Sequence, residues 1–148
     1  MKISIGGDHA GYELKKKVAA HLESRGVAVM DRGPFASDSV DYPDFVHPVC
    51  DDILNGTSDF GILICGSGNG VAMTANKYSG IRCGICWDKE LASLTKQHNN
   101  ANAIAIPARF IDDQTAIECV DAFLDSAFEG GRHQRRVDKI APTTEYLC

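Results

Sequence analysis

Basic residues are in deficit in this sequence, 15 Lys and Arg against 20 Asp and Glu, for a net charge of -5 over 148 residues. A polyanion or an anionic bilayer would repel such a chain, so no nucleic-acid or membrane partner is expected. No apolar run approaches the roughly 20 residues that cross a bilayer. The N-terminus enters a strand at Lys2 and reaches Asp8 with no basic region leading into an apolar core, so no signal peptide is expected. There is no G-x-x-x-x-G-K-[ST] loop, and Gly66-Ser67-Gly68-Asn69-Gly70 has the wrong spacing for a dinucleotide fingerprint. A cysteine-phosphatase loop would want arginine at 71, which is valine. The six cysteines (50, 65, 83, 86, 119 and 148) form no compact disulfide framework and suit a reduced, cytoplasmic setting. Cys83-Gly84-Ile85-Cys86 spells C-x-x-C, but a strand sends residues three apart to opposite faces, and no second pair completes a zinc site.

What is present is an ordinary globular composition, 44% hydrophobic, suited to one domain spanning 1–148. Short apolar runs predict strands at 2–6, 27–30, 62–64, 81–86 and 103–106. Helical spacing predicts helices over 10–25, from Pro43 with Val46, Val49, Ile53 and Leu54 inward, from Val71, from Asp88 to about Gln97, and over 112–128. A short helix is expected in the tail, which turns basic after Gly130. Alternating strands and helices imply right-handed crossovers and a three-layer α/β/α sandwich on a Rossmann-like, five-stranded parallel sheet. Ligands of such sheets collect at the carboxyl ends of the strands.

The central feature is the strand ending at Cys65, followed by a loop with glycine at 66, 68 and 70. Free N–H groups and a helix start beside a thiol favour its thiolate, which can act as base or nucleophile. Buried cysteines are equally often plain core residues. Asp8 and His9 stand where the first strand ends, either to bind sugar hydroxyls or phosphate or simply to cap a turn. His98, Asn99 and Asn100 are expected just beyond a helix, as a C-terminal cap or with His98 as an acid/base. Arg132 and Arg136, four apart, would share a helix face as a phosphate clamp to which Arg109 can add, or form a solvated basic turn. Together these residues suit a small anionic substrate and proton transfer, with no metal or nucleotide cofactor. Aldose–ketose isomerisation of a sugar phosphate fits, with backbone N–H groups holding the enediolate oxygen.

Several blocks carry a closer likeness: Gly7-Asp8-His9-Ala10-Gly11, Asp41-Tyr42-Pro43, Ile64-Cys65-Gly66-Ser67-Gly68-Asn69-Gly70, Ala75-Asn76-Lys77, His98-Asn99-Asn100-Ala101-Asn102 and Glu129-Gly130-Gly131-Arg132-His133. In this order the chain resembles the ribose-5-phosphate isomerase B family, which includes the galactose-6-phosphate isomerase subunits. The resemblance implies interconversion of ribose 5-phosphate and ribulose 5-phosphate through a cis-enediolate, in the pentose phosphate pathway. It implies Cys65 as the base and His98 as the ring-opening acid/base. Ser67 with the amides of Gly66, Gly68, Asn69 and Gly70 would cradle the enediolate. Asp8 and Asn99 would hold sugar oxygens, and His9, Arg109, Arg132 and Arg136 the phosphate. Ser67 and Asn69 resemble instead the branch with a glutamate base, but that glutamate's place is taken here by Val71.

The predicted topology also implies a partner. Cys65 falls at the carboxyl edge of the sheet and His98 near the amino edge, roughly 17 Å apart for a five-residue strand. A two-fold homodimer with sites shared between subunits would unite them, and the resemblance implies the same; whether dimers pair into tetramers stays open. Two other readings remain at this point: an isomerase of galactose or allose 6-phosphate, and a non-catalytic sugar-phosphate binding protein.

Overall fold

The computed structural model describes residues 1–141; Cys148 lies outside them. Strands β1 (Lys2–Gly7), β2 (Ala28–Asp31), β3 (Phe60–Cys65), β4 (Cys83–Ile85) and β5 (Ala103–Pro107) form one parallel sheet in the order β2-β1-β3-β5-β4. The order follows the residues. The three inner strands read as almost continuous apolar runs, as strands covered on both faces must. The two edge strands are shorter and half-exposed.

Helices α1 (Tyr12–Ser24), α4 (Lys89–Asn99) and α5 (Asp113–Asp125) lie over one face. There Leu14, Val18 and Leu22 meet Ile3, Ile5, Ile62, Ile104, Val120 and Phe123. Helices α2 (Pro43–Leu54) and α3 (Asn69–Ala75) cover the other through Val46, Val49, Val71 and Ala75. The expected three-layer arrangement is therefore present. Leu54 is a departure: 45% exposed, it sits about 80° round the helix from Val46 and rests over Gly80. The first helix also starts later than its sequence pattern, after a 3-10 turn at His9–Gly11. The long helix stops at Asp125, where Ser126 turns extended.

Two ion pairs, each with one partner buried and one about a third exposed, brace the loop between β2 and α2. Lys15, 1% exposed, pairs with Asp31. Arg32 Nε and Nη2 donate to the two carboxylate oxygens of Asp52, each at 2.7 Å, and Ser4 Oγ donates to Asp52 at 2.6 Å. The Arg32 hydrogen bonds, and then that of Ser4, hold the Asp52 carboxyl below its ordinary value of 3.8 against the effect of burial.

The chain runs from β1 outward to β2 and returns to β3 on the other side of β1. The crevice of a doubly wound sheet opens at such a reversal, between the carboxyl ends of β1 and β3.

Candidate active site

Glycine brings those two strand ends together. A β-carbon on Gly7 would stand 1.9 Å from the Ile64 carbonyl oxygen, and one on Gly11 2.3 Å from it. With no side chains there, the turn after β1 rests directly on the tip of β3, and Asp8 N donates to Ile64 O at 3.1 Å. Asp8 and His9 are thereby set beside Cys65. Asp8 does cap the turn, its Oδ1 accepting from Gly11 N at 3.0 Å. His9 Nδ1 accepts from Val40 N at 3.4 Å.

Cys65 ends β3 and is 4% exposed. Gly68, at φ +76°, turns the loop back so that its N–H donates to Cys65 Sγ at 3.1 Å. Ser67 Oγ accepts from Asn69 N at 3.3 Å. Beyond β5, Ala108 N donates to Cys65 O and Arg109 N to Gly66 O, which lays the Arg109 side chain along Gly66. A cavity of about 370 Å³ opens among these groups, lined by Asp8, His9, Cys65, Gly66, Ser67, Gly70 and Arg109. Ala10, Tyr42 and Phe110 complete the lining, the Tyr42 ring lying against Gly70. The role of Tyr42 was legible only as part of the Asp41-Tyr42-Pro43 block. An adjoining hollow of about 440 Å³ shares Ser67 and is walled by the exposed Trp87 and Phe110.

The other described cysteines do not line this cavity. Burial pushes the Cys50 and Cys86 thiols up to about 11 and that of Cys119 to about 12, and it raises Cys83 as well. Cys83 and Cys86 belong to the cores on opposite faces of the sheet, as a strand requires, and make no metal pair. Among the described residues, Cys65 is the one cysteine whose sulfur accepts a backbone N–H. Val71 is fully buried.

The remaining sequence candidates gather at the opposite edge. His98 and Asn99 lie in the last turn of α4, not beyond it, because the helix runs two residues past the expected end at Gln97 and Asn100 adopts the left-handed cap (φ +46°). Arg82 and Lys96 donate to the carbonyls of Asn100 and Ala101, closing the negative end of the helix. After α5 the chain returns, Glu129 N donating to Gln97 O at 3.0 Å. It then forms α6 (Arg132–Val137) against α4. Arg132 and Arg136 are exposed, one turn apart on α6, as their spacing predicts.

His133 was missed. It is 6% exposed, and its ring stacks on His98 with centroids 4.1 Å apart and planes within 7°. The signal was there: one residue past an outward-facing arginine on a helix, a side chain turns about 100° inward. Glu129 approaches both rings, 3.8 Å from His98 Nε2 and 3.5 Å from His133 Nε2. These three groups could reach a cation, but the geometry is poor for one. Stacked imidazoles hold their lone pairs parallel rather than convergent, and Arg132 already points its Nε–H at His133 Nε2 from 3.4 Å.

The structure thus assembles two groups. Asp8, His9, Cys65, Gly66, Ser67, Gly70 and Arg109 share the carboxyl-edge cavity, with Gly68 and Asn69 in the same loop. His98, Asn99, Arg132 and Arg136 stand at the amino edge and do not line that cavity. The length of β5 alone, roughly 17 Å for its five residues, keeps them apart within one chain.

Comparison with known proteins agrees with this architecture. The Ribose/Galactose Isomerase family model matches residues 3–140. Ribose-5-phosphate isomerase B of Escherichia coli is 44% identical over 139 residues, covering 94% of this chain and 93% of its own length. The crystal structure of a ribose 5-phosphate isomerase from Thermotoga maritima superposes with a TM-score of 0.92 at 47% identity, covering 94% and 96% of the two chains. The Mycoplasma genitalium ribose-5-phosphate isomerase B, solved with bound ribulose 5-phosphate, gives 0.90 at 46% identity over 94% and 93%. By sequence and by fold, the chain belongs to the ribose/galactose isomerase family and is an isomerase.

Proposed function

We propose that this protein interconverts ribose 5-phosphate and ribulose 5-phosphate through a cis-enediolate, in a site shared between the two subunits of a homodimer. Cys65 as thiolate takes the proton from C2 of the open aldose and returns it to C1. The hydroxyl proton on O2 is lost and O1 gains one, so the step moves protons and needs no external oxidant or reductant. Ser67 and the amides of residues 66–70 neutralise the enediolate oxygen. Before that, the furanose must open: the C1 hydroxyl gives up its proton and its oxygen becomes the aldehyde carbonyl, while the bond from C1 to the ring oxygen breaks and that oxygen takes a proton. His98 serves that exchange. Asp8 and Asn99 hold sugar oxygens; His9, Arg109, Arg132 and Arg136 hold the phosphate.

The observation that carries the reading is the amide N–H of Gly68 on Cys65 Sγ at the floor of a cavity large enough for a sugar phosphate. In this reading the exposed Trp87 and Phe110 beside the cavity are covered by the second subunit, whose amino edge supplies His98, Asn99, Arg132 and Arg136. One isomerase domain over 1–148 and a cytoplasmic setting belong to the same proposal; the five free, buried cysteines among the described residues suit a reducing compartment. Among the described residues, no helix is long and apolar enough to cross a membrane.

Turnover of a panel of five- and six-carbon aldose phosphates, with a chelator present, tests substrate and reaction together. Ribose 5-phosphate should give the highest kcat/KM and the chelator no loss. A higher kcat/KM with galactose or allose 6-phosphate would replace the pentose assignment, and binding without turnover would refute the enzyme.

A further inference from the structure

His133 joins two residues to which the proposed reaction gives separate tasks. On one side its ring lies flat on His98. On the other its Nε2 accepts from Arg132 Nε at 3.4 Å. It is the one buried residue of α6, between exposed arginines, so the fold keeps a polar ring inside where an apolar one would pack as well. A nitrogen that accepts from a guanidinium has its lone pair free, which fixes the neutral tautomer with its proton on Nδ1. Burial favours that neutral form, and so do the neighbouring His98, Arg132 and Arg136, against the opposite pull of Glu129.

We infer that His133 is a positioning residue that couples phosphate recognition to ring opening, transmitting the placement of Arg132 to the ring plane of His98. The inference rests on the roles given above to Arg132 and His98. An anion gripping Arg132 fixes the direction of its Nε–H, and with it the edge of the His133 ring. A ring in face contact can slide on its neighbour but cannot tilt without breaking the stack, so His98 is held in one plane. Two consecutive glycines at positive φ, Gly130 and Gly131, precede α6 and give it a point about which to adjust. The coupling is useful in one direction only. An aldose 5-phosphate arrives as a closed furanose, whereas ribulose 5-phosphate has its O5 esterified and stays open.

The test uses the full-length protein and assays both directions. His133→Phe keeps a flat ring on His98 but removes the acceptor for Arg132. The ratio of aldose-direction to ketose-direction kcat should fall about tenfold, in keeping with the loss of one hydrogen bond to a charged group. His133→Gln, which keeps an acceptor but no stacked ring, should show the same bias and decides the matter if the phenylalanine variant does not fold. A second readout is independent of turnover. In the unsubstituted protein, titration with inorganic phosphate should move the ring signals of His98 in the NMR spectrum; in His133→Phe phosphate should still bind while those signals stay put. An unchanged ratio in both variants, or an equal response of His98 to phosphate, overturns the coupling. If His98→Asn itself leaves the aldose direction unimpaired, the role of His98 falls, and the coupling with it.

Discussion

The two edges of the sheet are built by different means. At the carboxyl edge the main chain makes the site. Gly7 and Gly11 let a turn lie on the tip of β3, and Gly68 bends an amide onto a sulfur that the core holds almost fully buried. At the amino edge side chains make it: an exposed arginine pair, a half-exposed histidine and a second histidine beneath, all carried on the ends of α4 and α6. The contrast suits the two tasks proposed for them. Charge developing on a substrate oxygen is best met by dipoles that need not move. A phosphate arriving from solvent is best met by long, forked cations that can close on it.

The largest effect should come from the edge with least freedom. Cys65→Ala removes the proposed base and should lower kcat by about a thousandfold or more, at the upper end of what general acid–base catalysis contributes. Inorganic phosphate should bind as before, as isothermal calorimetry would show; activity near that of the unsubstituted protein would end the mechanism. A smaller loss is expected at the opposite edge. Arg132→Ala should cost about 10- to 100-fold in kcat/KM for the sugar phosphate, as one lost charge-assisted hydrogen bond would. A dephosphorylated sugar, turned over far more slowly, should be affected little. Equal damage with and without the phosphate would deny Arg132 its place in the clamp.

The gentlest test is acid. His133 is held below its ordinary value of 6.5, by burial first and then by His98, Arg132 and Arg136. The folded chain therefore resists a proton that the unfolded chain accepts, and stability is lost as pH falls through 6.5. Asp52 is held below 3.8, chiefly by the Arg32 hydrogen bonds, so its contribution is whole above that pH and is lost only as pH falls beneath it. Hydrogen exchange should lose protection in α6 as pH falls below about 6.5, while amides around Ser4 and Asp52 hold until below about pH 4. Simultaneous loss at both places would contradict the difference in charge environment.

How much of this the sequence carried differs between the same two regions. The carboxyl edge was legible because its parts are local: a short apolar run, a cysteine and alternating glycines report a strand and its loop within a dozen residues. The sheet itself followed from alternation. What was not legible depends on distant packing. Tyr42 reaches the cavity because α2 begins over Gly70, and nothing near position 42 reports that. His133 turns inward because α6 docks on α4 through Glu129, a contact between segments far apart in the chain. Helix ends were off by a residue or three, as at His98, where an asparagine able to adopt φ +46° decides the stop. The failure at Leu54 is of the same kind, a position on the margin of the apolar stripe.

That each edge holds half of one site is the claim on which the rest turns, and complementation tests it most directly. Cys65→Ala and His98→Asn chains, each inactive toward ribose 5-phosphate alone, are co-expressed with different tags, and assemblies carrying both are isolated. In a mixed dimer one of the two shared sites is intact, so about half the specific activity of the unsubstituted protein should return. Mixed assemblies no more active than their parents would place Cys65 and His98 in the same chain's site and contradict the account.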